Sequence, residues 1–216
     1  SSRNAEQNQV WVGMSKETAH QLGTPLSSLL GWVEYLKSTK VDSSIVEEIS
    51  KDVSRLETVT DRFSKIGSDP KFENVSVKAT MDNVIDYLRL RISDKIKIEI
   101  EGDEEYYLNL CVPLFEWVIE NLTKNAVDAM GGNGDFLIRI KKIDQKLMID
   151  FSDTGKGIPK NDFKKIFKPG FTSKKRGWGL GLSLVRRIIE DHHYGKIYVK
   201  SSEVGKGTVF RIEMPI

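Results

Sequence analysis

The sequence has a single cysteine, Cys111, which excludes an intrachain disulfide framework and any cysteine-cluster zinc site. It lacks any apolar run approaching ~18 residues, so no segment reads as membrane-spanning. A secretion signal of the charged–apolar–small kind is missing as well. Charge of one sign is also lacking: Lys+Arg 33 against Asp+Glu 31 leave a formal +2, which gives no bulk reason to expect nucleic acid. There are no internal repeats and no low-complexity tract. What is present is 39% hydrophobic residues, too many for a disordered tail. The expectation is a soluble, cytoplasmic protein, or the soluble part of a larger one attached to a membrane only through upstream segments. Its 216 residues suit one large domain or two small ones.

The chain falls into halves of different periodicity. Val12, Ser15, Ala19, Leu22, Leu26, Leu29, Val33 and Leu36 follow alternating steps of three and four, an a/d seam on a helix from about Gln7 to Thr39. That helix would be about 50 Å long at ~1.5 Å per residue. A second seam follows: Val46, Ile49, Val53, Leu56, Thr60 and Phe63, with Asp42, Ser43 or Ser44 able to cap its start and Gly67 able to end it. Two helices with one apolar stripe each make a hairpin that cannot enclose the stripe, so two copies forming a four-helix bundle are expected. Residues 1–68 are read as this unit and 69–76, with Ser68-Asp69-Pro70-Lys71 as punctuation, as a linker.

From residue 77 to 216 the pattern is mixed. A helix is expected from Met81 to Ile92, strands at Lys95–Glu101 and Tyr106–Leu110, and a helix after Pro113 to Met130. Strands at Phe136–Ile143 and Lys146–Ser152, a helix from Gly181 to His192 and strands at Lys196–Ser201 and Thr208–Met214 complete a two-layer α/β sandwich. Asp153-Thr154-Gly155-Lys156-Gly157-Ile158-Pro159 follows a strand. Its glycines let backbone approach a flat ligand, and its carboxylate can accept from an exocyclic amine; alone, it reads equally as a strand-to-helix connection. Gly177-Trp178-Gly179-Leu180-Gly181-Leu182 opens a helix, where freed amides and the helix dipole suit phosphate, with Lys174, Lys175 and Arg176 just before it. On the Pro113 helix, Asn121 and Asn125 share a face, and their amide oxygens are acceptable Mg²⁺ ligands when phosphates and water complete the shell.

Taken in order, Asn121-Leu-Thr-Lys-Asn-Ala, Asp153-Thr-Gly-Lys-Gly-Ile, Phe167 with Phe171-Thr172, the glycine triplet and Gly205-Lys-Gly-Thr208 resemble the nucleotide-binding boxes of the gyrase, chaperone, histidine-kinase and mismatch-repair ATPase superfamily. The resemblance covers about residues 75–216. On the first helix, His20-Gln21-Leu22-Gly23-Thr24-Pro25-Leu26 resembles the phosphoacceptor box of dimeric sensor histidine kinases, and residues 7–67 their dimerisation domain. In the seam numbering His20 and Thr24 fall at outward positions, and Pro25 should kink the helix one turn after the histidine.

The resemblance implies phosphoryl transfer from MgATP to Nε2 of His20, then to an aspartate on the receiver domain of a response regulator. It implies that Asp153 accepts from the adenine amine and that Asn125 holds Mg²⁺ with Asn121 beside it. Gly155, Gly157, Ile158, Gly177, Gly179, Leu180, Gly181 and Thr208 would form the nucleotide site. Phe171 and Thr172 would belong to a mobile lid from Phe167 to Gly177, with Lys174 a phosphate contact. Thr24 matches the position that orients water when related kinases dephosphorylate their regulator.

Three positions depart from the family. Gln21 stands where most relatives carry an acid beside the histidine, so no charge holds the Nδ1 proton; Glu17, one turn earlier, is the candidate to supply it. Asn121 stands where related ATPases place a glutamate base, which argues against a hydrolase. Asp128 occupies a place where many kinases have a basic residue, leaving Lys124 or the Lys174–Arg176 cluster to meet phosphate. The alternatives are a degenerate kinase acting as a dimeric ATP-binding scaffold, and an ATPase or serine kinase of the same superfamily.

Overall fold

The computed structural model describes residues 25–66, 71–102, 104–171 and 181–216, in two compact units, 1–70 and 71–216. In the first unit, helix α1 covers residues 25–37 and α2 covers Ser43–Ile66. The turn between them closes on its own polar side chains. Ser38 and Thr39 donate from backbone and hydroxyl to the carbonyls of Tyr35 and Leu36. Of the three residues able to cap α2, Asp42 does so, its carboxylate accepting from the Ser44 amide (2.9 Å) and hydroxyl (2.8 Å).

The expected seam is present but divided. Leu26, Val33, Val46 and Val53 bury against one another, with Leu30 and Leu36 packed alongside. The alternate positions Leu29, Ile49 and Leu56 stay exposed, and so do Ile45, Trp32 and Tyr35. Trp32 is 60% exposed in the single hairpin and meets Tyr35 edge-on, ring centroids 6.0 Å apart. One hairpin therefore buries one line of its apolar seam and leaves the other in water. No described helix is long and apolar enough to cross a membrane.

The second unit carries a five-stranded sheet with helices on one face. Its strands are β2 (Ile96–Glu101), β4 (Gly134–Ile143), β5 (Lys146–Asp153), β6 (Lys196–Glu203) and β7 (Gly207–Pro215), in the order β2-β4-β5-β7-β6. β2 runs parallel to β4 and the other pairs are antiparallel. Two short strands, β1 (Glu73–Ser76) and β3 (Tyr107–Leu110), pair separately. β1 is a strand that alternation did not reveal. It ends on Ser76, whose hydroxyl accepts from the Ala79 amide (3.1 Å), so α3 runs Val77–Arg89, four residues earlier than hydropathy suggested.

Helix α4 (Val112–Met130) has Pro113 in its first turn and ends on Gly131 in the left-handed region (φ 63°). Its buried line of Leu114, Phe115, Val118, Ile119, Leu122 and Ala126 packs on α3 and on β4 and β5. The last helix is α5, Gly181–Arg187; the expected continuation to His192 becomes a wider π turn over Ile188–His192. That turn ends on His193, a buried packing residue. Its Nε2 accepts from the Cys111 amide (3.1 Å), so Nδ1 carries the proton and donates to the Ile188 carbonyl (2.8 Å). The imidazole thus joins the end of the π turn to the start of α4.

The opposite face of the sheet is polar. On it Asp150 accepts two bonds from Arg211 (2.6 and 2.8 Å) and one from Lys200 (2.8 Å). Burial alone would raise the Asp150 carboxyl, but these cations hold it below its ordinary value of 3.8. The unfolded chain therefore takes up this proton first, and the bridge's stabilisation is present above pH 3.8 and lost as pH falls through the lower folded value. Asp150→Asn is expected to cost about 2 kcal/mol at neutral pH, since three charge-assisted bonds are weakened. The deficit should shrink in acid. Denaturant midpoints of the two proteins at pH 7 and pH 3 test this, and equal midpoints at pH 7 would refute it.

Candidate functional site

At the end of β5 the backbone leaves the sheet as Asp153-Thr154-Gly155-Lys156-Gly157-Ile158, and each step of this loop is tied to a neighbour. Thr154 donates to the Asp135 carbonyl (3.2 Å) and its hydroxyl accepts from the Asp135 amide (3.0 Å). Lys156 donates to the carbonyl of Ala129 (3.0 Å), and its own carbonyl accepts from Gly205 (2.8 Å). The loop therefore lies between the last turn of α4 and the β6–β7 hairpin. Two glycines allow the closeness. A Cβ at Gly155 would come within 2.6 Å of the Ala129 carbonyl carbon, and at Gly157 (φ +71°) it would strike the Glu203 carbonyl oxygen.

Asp153 heads the loop and is buried. Its Oδ1 accepts from the Gly155 amide (2.8 Å), and the Thr208 amide also bonds the carboxylate. Burial pushes the Asp153 carboxyl above its ordinary value, with the two amides pulling the other way. Desolvation wins. A carboxylate aimed by two backbone donors in a dry setting is a ready acceptor for an amino group brought in by a flat ligand. Thr208 is itself buried, with its hydroxyl 2.9 Å from that of Ser202, which also accepts from the Ile158 amide (2.8 Å).

The polar face of α4 contributes the second part of the site. Asn121 donates from its amide to the Trp117 carbonyl (2.9 Å). Its Oδ1 lies beside Gly181, the first residue of α5, where an added Cβ would approach to 3.1 Å. Asn125, one turn on, is half-buried. Lys124 is exposed and paired with Glu120 (3.6 Å). Phe171 is exposed, its amide donating to the Lys168 carbonyl (3.2 Å), and no described contact joins it to Asp153.

The structure therefore brings Asp153, Gly155, Gly157, Ile158 and Thr208 together, and places Asn121 against Gly181. Glu17, His20, Gln21, Thr24, Thr172, Lys174, Gly177, Gly179 and Leu180 lie outside the described residues, as does the helix turn before Pro25. Among the described residues no group of three or more His, Cys, Asp or Glu is arranged to hold a metal ion. Thr154, which lies inside the glycine motif but was given no role, and Ser202, which was not anticipated, fix the loop. Ser202 lies just beyond the strand expected from alternation, and nothing local marks it.

Residues 112–216 match the family described as histidine kinase-, DNA gyrase B- and HSP90-like ATPase. The catalytic domain of histidine kinase ThkA is 33% identical and superposes with a TM-score of 0.61, covering 67% of this chain and 95% of that domain. The chain belongs to the sensor histidine kinase family. ThkA in complex with its response regulator TrrA is 26% identical over 98% of this chain and 63% of that one (TM-score 0.63), so the helical hairpin followed by the α/β sandwich is the family's arrangement. Sporulation kinase E of Bacillus subtilis is 31% identical over 205 residues, 92% of this chain. The chain spans only 28% of that kinase's length.

Within this kinase fold the residues present fit a nucleotide. Asp153 offers a buried acceptor suited to a purine amine, and Asn121 and Asn125 offer neutral amides that suit a divalent ion already neutralised by phosphate.

Proposed function

We propose that the chain is the core of a sensor histidine kinase that autophosphorylates His20 from MgATP and passes the phosphoryl group to an aspartate of a response-regulator receiver domain. The observation that carries this reading is the buried Asp153 carboxylate, aimed by the amides of Gly155 and Thr208. In it, Asp153 takes the adenine amine, while Gly155, Gly157 and Ile158 supply the backbone wall. Asn125 would hold Mg²⁺ with Asn121 beside it, and such an ion would neutralise phosphate charge. Lys124, Phe171, Thr172, Lys174, Gly177, Gly179, Leu180 and Gly181 are assigned to the phosphate side and its lid, by position in the family's boxes.

Phosphoryl transfer of this kind asks the protein mainly for positioning and charge neutralisation. The imidazole of His20 is its own nucleophile, and with an ordinary value near ~6.5 it is largely neutral at pH 7. Gln21 can accept from Nδ1–H without adding charge, and Glu17 supplies the charge that steadies the imidazolium. Thr24 serves the phosphatase reaction by orienting the water that hydrolyses the regulator's aspartyl phosphate and releases inorganic phosphate. The exposed line Leu29, Ile45, Ile49 and Leu56 supports assembly as a homodimer through the hairpin.

The test is incubation with γ-labelled ATP. Label that is acid-labile and base-stable, and that His20→Ala removes entirely, is the expected result; Glu17→Gln should slow its appearance. Acid-stable label would instead identify a serine kinase. Absence of label despite nucleotide binding would identify a scaffold.

A further inference from the structure

Besides the Asp153–Thr208 strand pairing and the Gly205–Lys156 backbone bond, one side-chain hydroxyl links the loop that carries Asp153 to the strand that carries Thr208, and a fault in the strand pairing puts it there. Along β6, Ile197 and Val199 point to the helix side and are buried, so strict alternation would bring Ser201 inward next. Pairing with β7 instead shifts between Val199 and Ser201: Val199 opposes Phe210 and Ser201 opposes Val209, leaving Lys200 without a partner residue. This is a β-bulge, a feature that re-aims side chains near functional sites. Lys200 turns to the polar face, where it meets Asp150 (2.8 Å). Beyond the bulge Ser202 opposes Thr208, on the same face as Phe210 and Ile212.

Once there, the hydroxyl is fully used. It accepts from the Ile158 amide (2.8 Å), donates to the Gly207 carbonyl (2.9 Å), and lies 2.9 Å from the Thr208 hydroxyl, which then donates to it. One proton and two lone pairs are all that a serine has. Its three partners flank the two amides that aim Asp153: Ile158 closes the loop containing Gly155, and Gly207 and Thr208 deliver the second amide.

We propose that Ser202, set inward by the bulge, is a positioning residue for the Asp153 carboxylate and thereby for discrimination of adenine from guanine. The inference rests on the nucleotide reading above. Ser202 touches no nucleotide itself; it fixes the register between loop and hairpin on which the direction of the carboxylate depends.

The test uses the whole chain and displacement of trinitrophenyl-ATP by ATP and by GTP. Ser202→Ala should weaken ATP about tenfold, the worth of one to two well-placed hydrogen bonds. GTP presents a carbonyl where ATP presents its amine and gains nothing from Asp153, so its affinity should change by less than about twofold. The KM for ATP should rise with kcat little changed, because ground-state and transition-state binding lose equally. Ser202→Thr keeps the hydroxyl and should restore ATP affinity to within about threefold. Unchanged ATP affinity in Ser202→Ala would overturn the proposal, and so would equal weakening of ATP and GTP, which is what simple loosening produces. Should the alanine variant fail to fold, Thr208→Val probes the same network: weaker ATP with unchanged GTP supports it, and wild-type affinity refutes it. Failure of the unaltered protein to bind ATP would sink the nucleotide reading itself, an outcome distinct from an alanine variant that behaves like wild type.

Discussion

Asp153→Asn is expected to weaken ATP binding about 100-fold, or about 2.7 kcal/mol, while leaving the fold intact. The two backbone donors on Asp153 create a conflict that asparagine cannot resolve. If its amide oxygen faces Gly155, its NH₂ faces the purine amine, donor against donor; flipped, the NH₂ faces the Gly155 amide. Either way a buried polar group goes unpaired. Stability should move little or even rise. Burial lifts the Asp153 carboxyl above its ordinary 3.8, so the stability owed to its neutral form fades as pH rises through that range, and a neutral amide escapes the cost. Calorimetric titration with ATP beside denaturant melts would settle it. A variant binding ATP within about threefold of wild type would remove Asp153 from the site.

Gly207→Ala should be the most damaging of the glycine substitutions. Gly207 sits at φ +124°, where a side chain is strained, and its added Cβ would collide with the carbonyl oxygen of Asp153 and lie 2.9 Å from the carbonyl carbon. The obstacle is backbone, and that backbone is paired to Thr208 in the sheet, so relief requires prising β7 from β5 at the very residue that aims the carboxylate. A loss of about 3 kcal/mol or more is expected, together with nucleotide binding. Gly205 is the internal control. It too has positive φ (+83°), but nothing lies within 4 Å of its added Cβ, and asparagine tolerates this conformation, so Gly205→Asn should stay within about 1 kcal/mol of wild type. Indistinguishable midpoints for the two variants would refute the steric argument.

These residues also show what the sequence could convey. Asp153, Gly155 and Gly157 were legible because chemistry dictates their type and spacing within a few residues. Gly205-Lys206-Gly207 was legible as part of a family box, but the approach of Gly207 to Asp153 joins positions more than fifty residues apart and exists only once β7 pairs with β5. Ser202 was hidden for a related reason: the bulge reverses the parity of β6, and a register shift leaves no mark on the pattern it shifts. β1 has four residues, Glu-Asn-Val-Ser, with a single apolar side chain, too few to alternate. The late start assigned to α3 came from weighting its apolar face over its serine cap. In the hairpin, the a/d steps located both helices, yet could not say that Leu26 and Val33 turn inward while Leu29 stays out, because that division depends on how many helices share the seam.

The strand order has one more consequence. β2 and β6 border the described sheet, and although the Ile98 carbonyl of β2 already accepts from Arg89 (2.9 Å), a border is where an extended chain could add. Both borders bear charges that keep it out: Lys97 and Glu99 on one, Lys196 and Lys200 on the other, all exposed. Edge-to-edge annealing between copies would bring lysines together at one border and disrupt the Lys97–Glu99 ion pair (2.7 Å) at the other. Those charges guard the sandwich against fibrous self-association at high concentration.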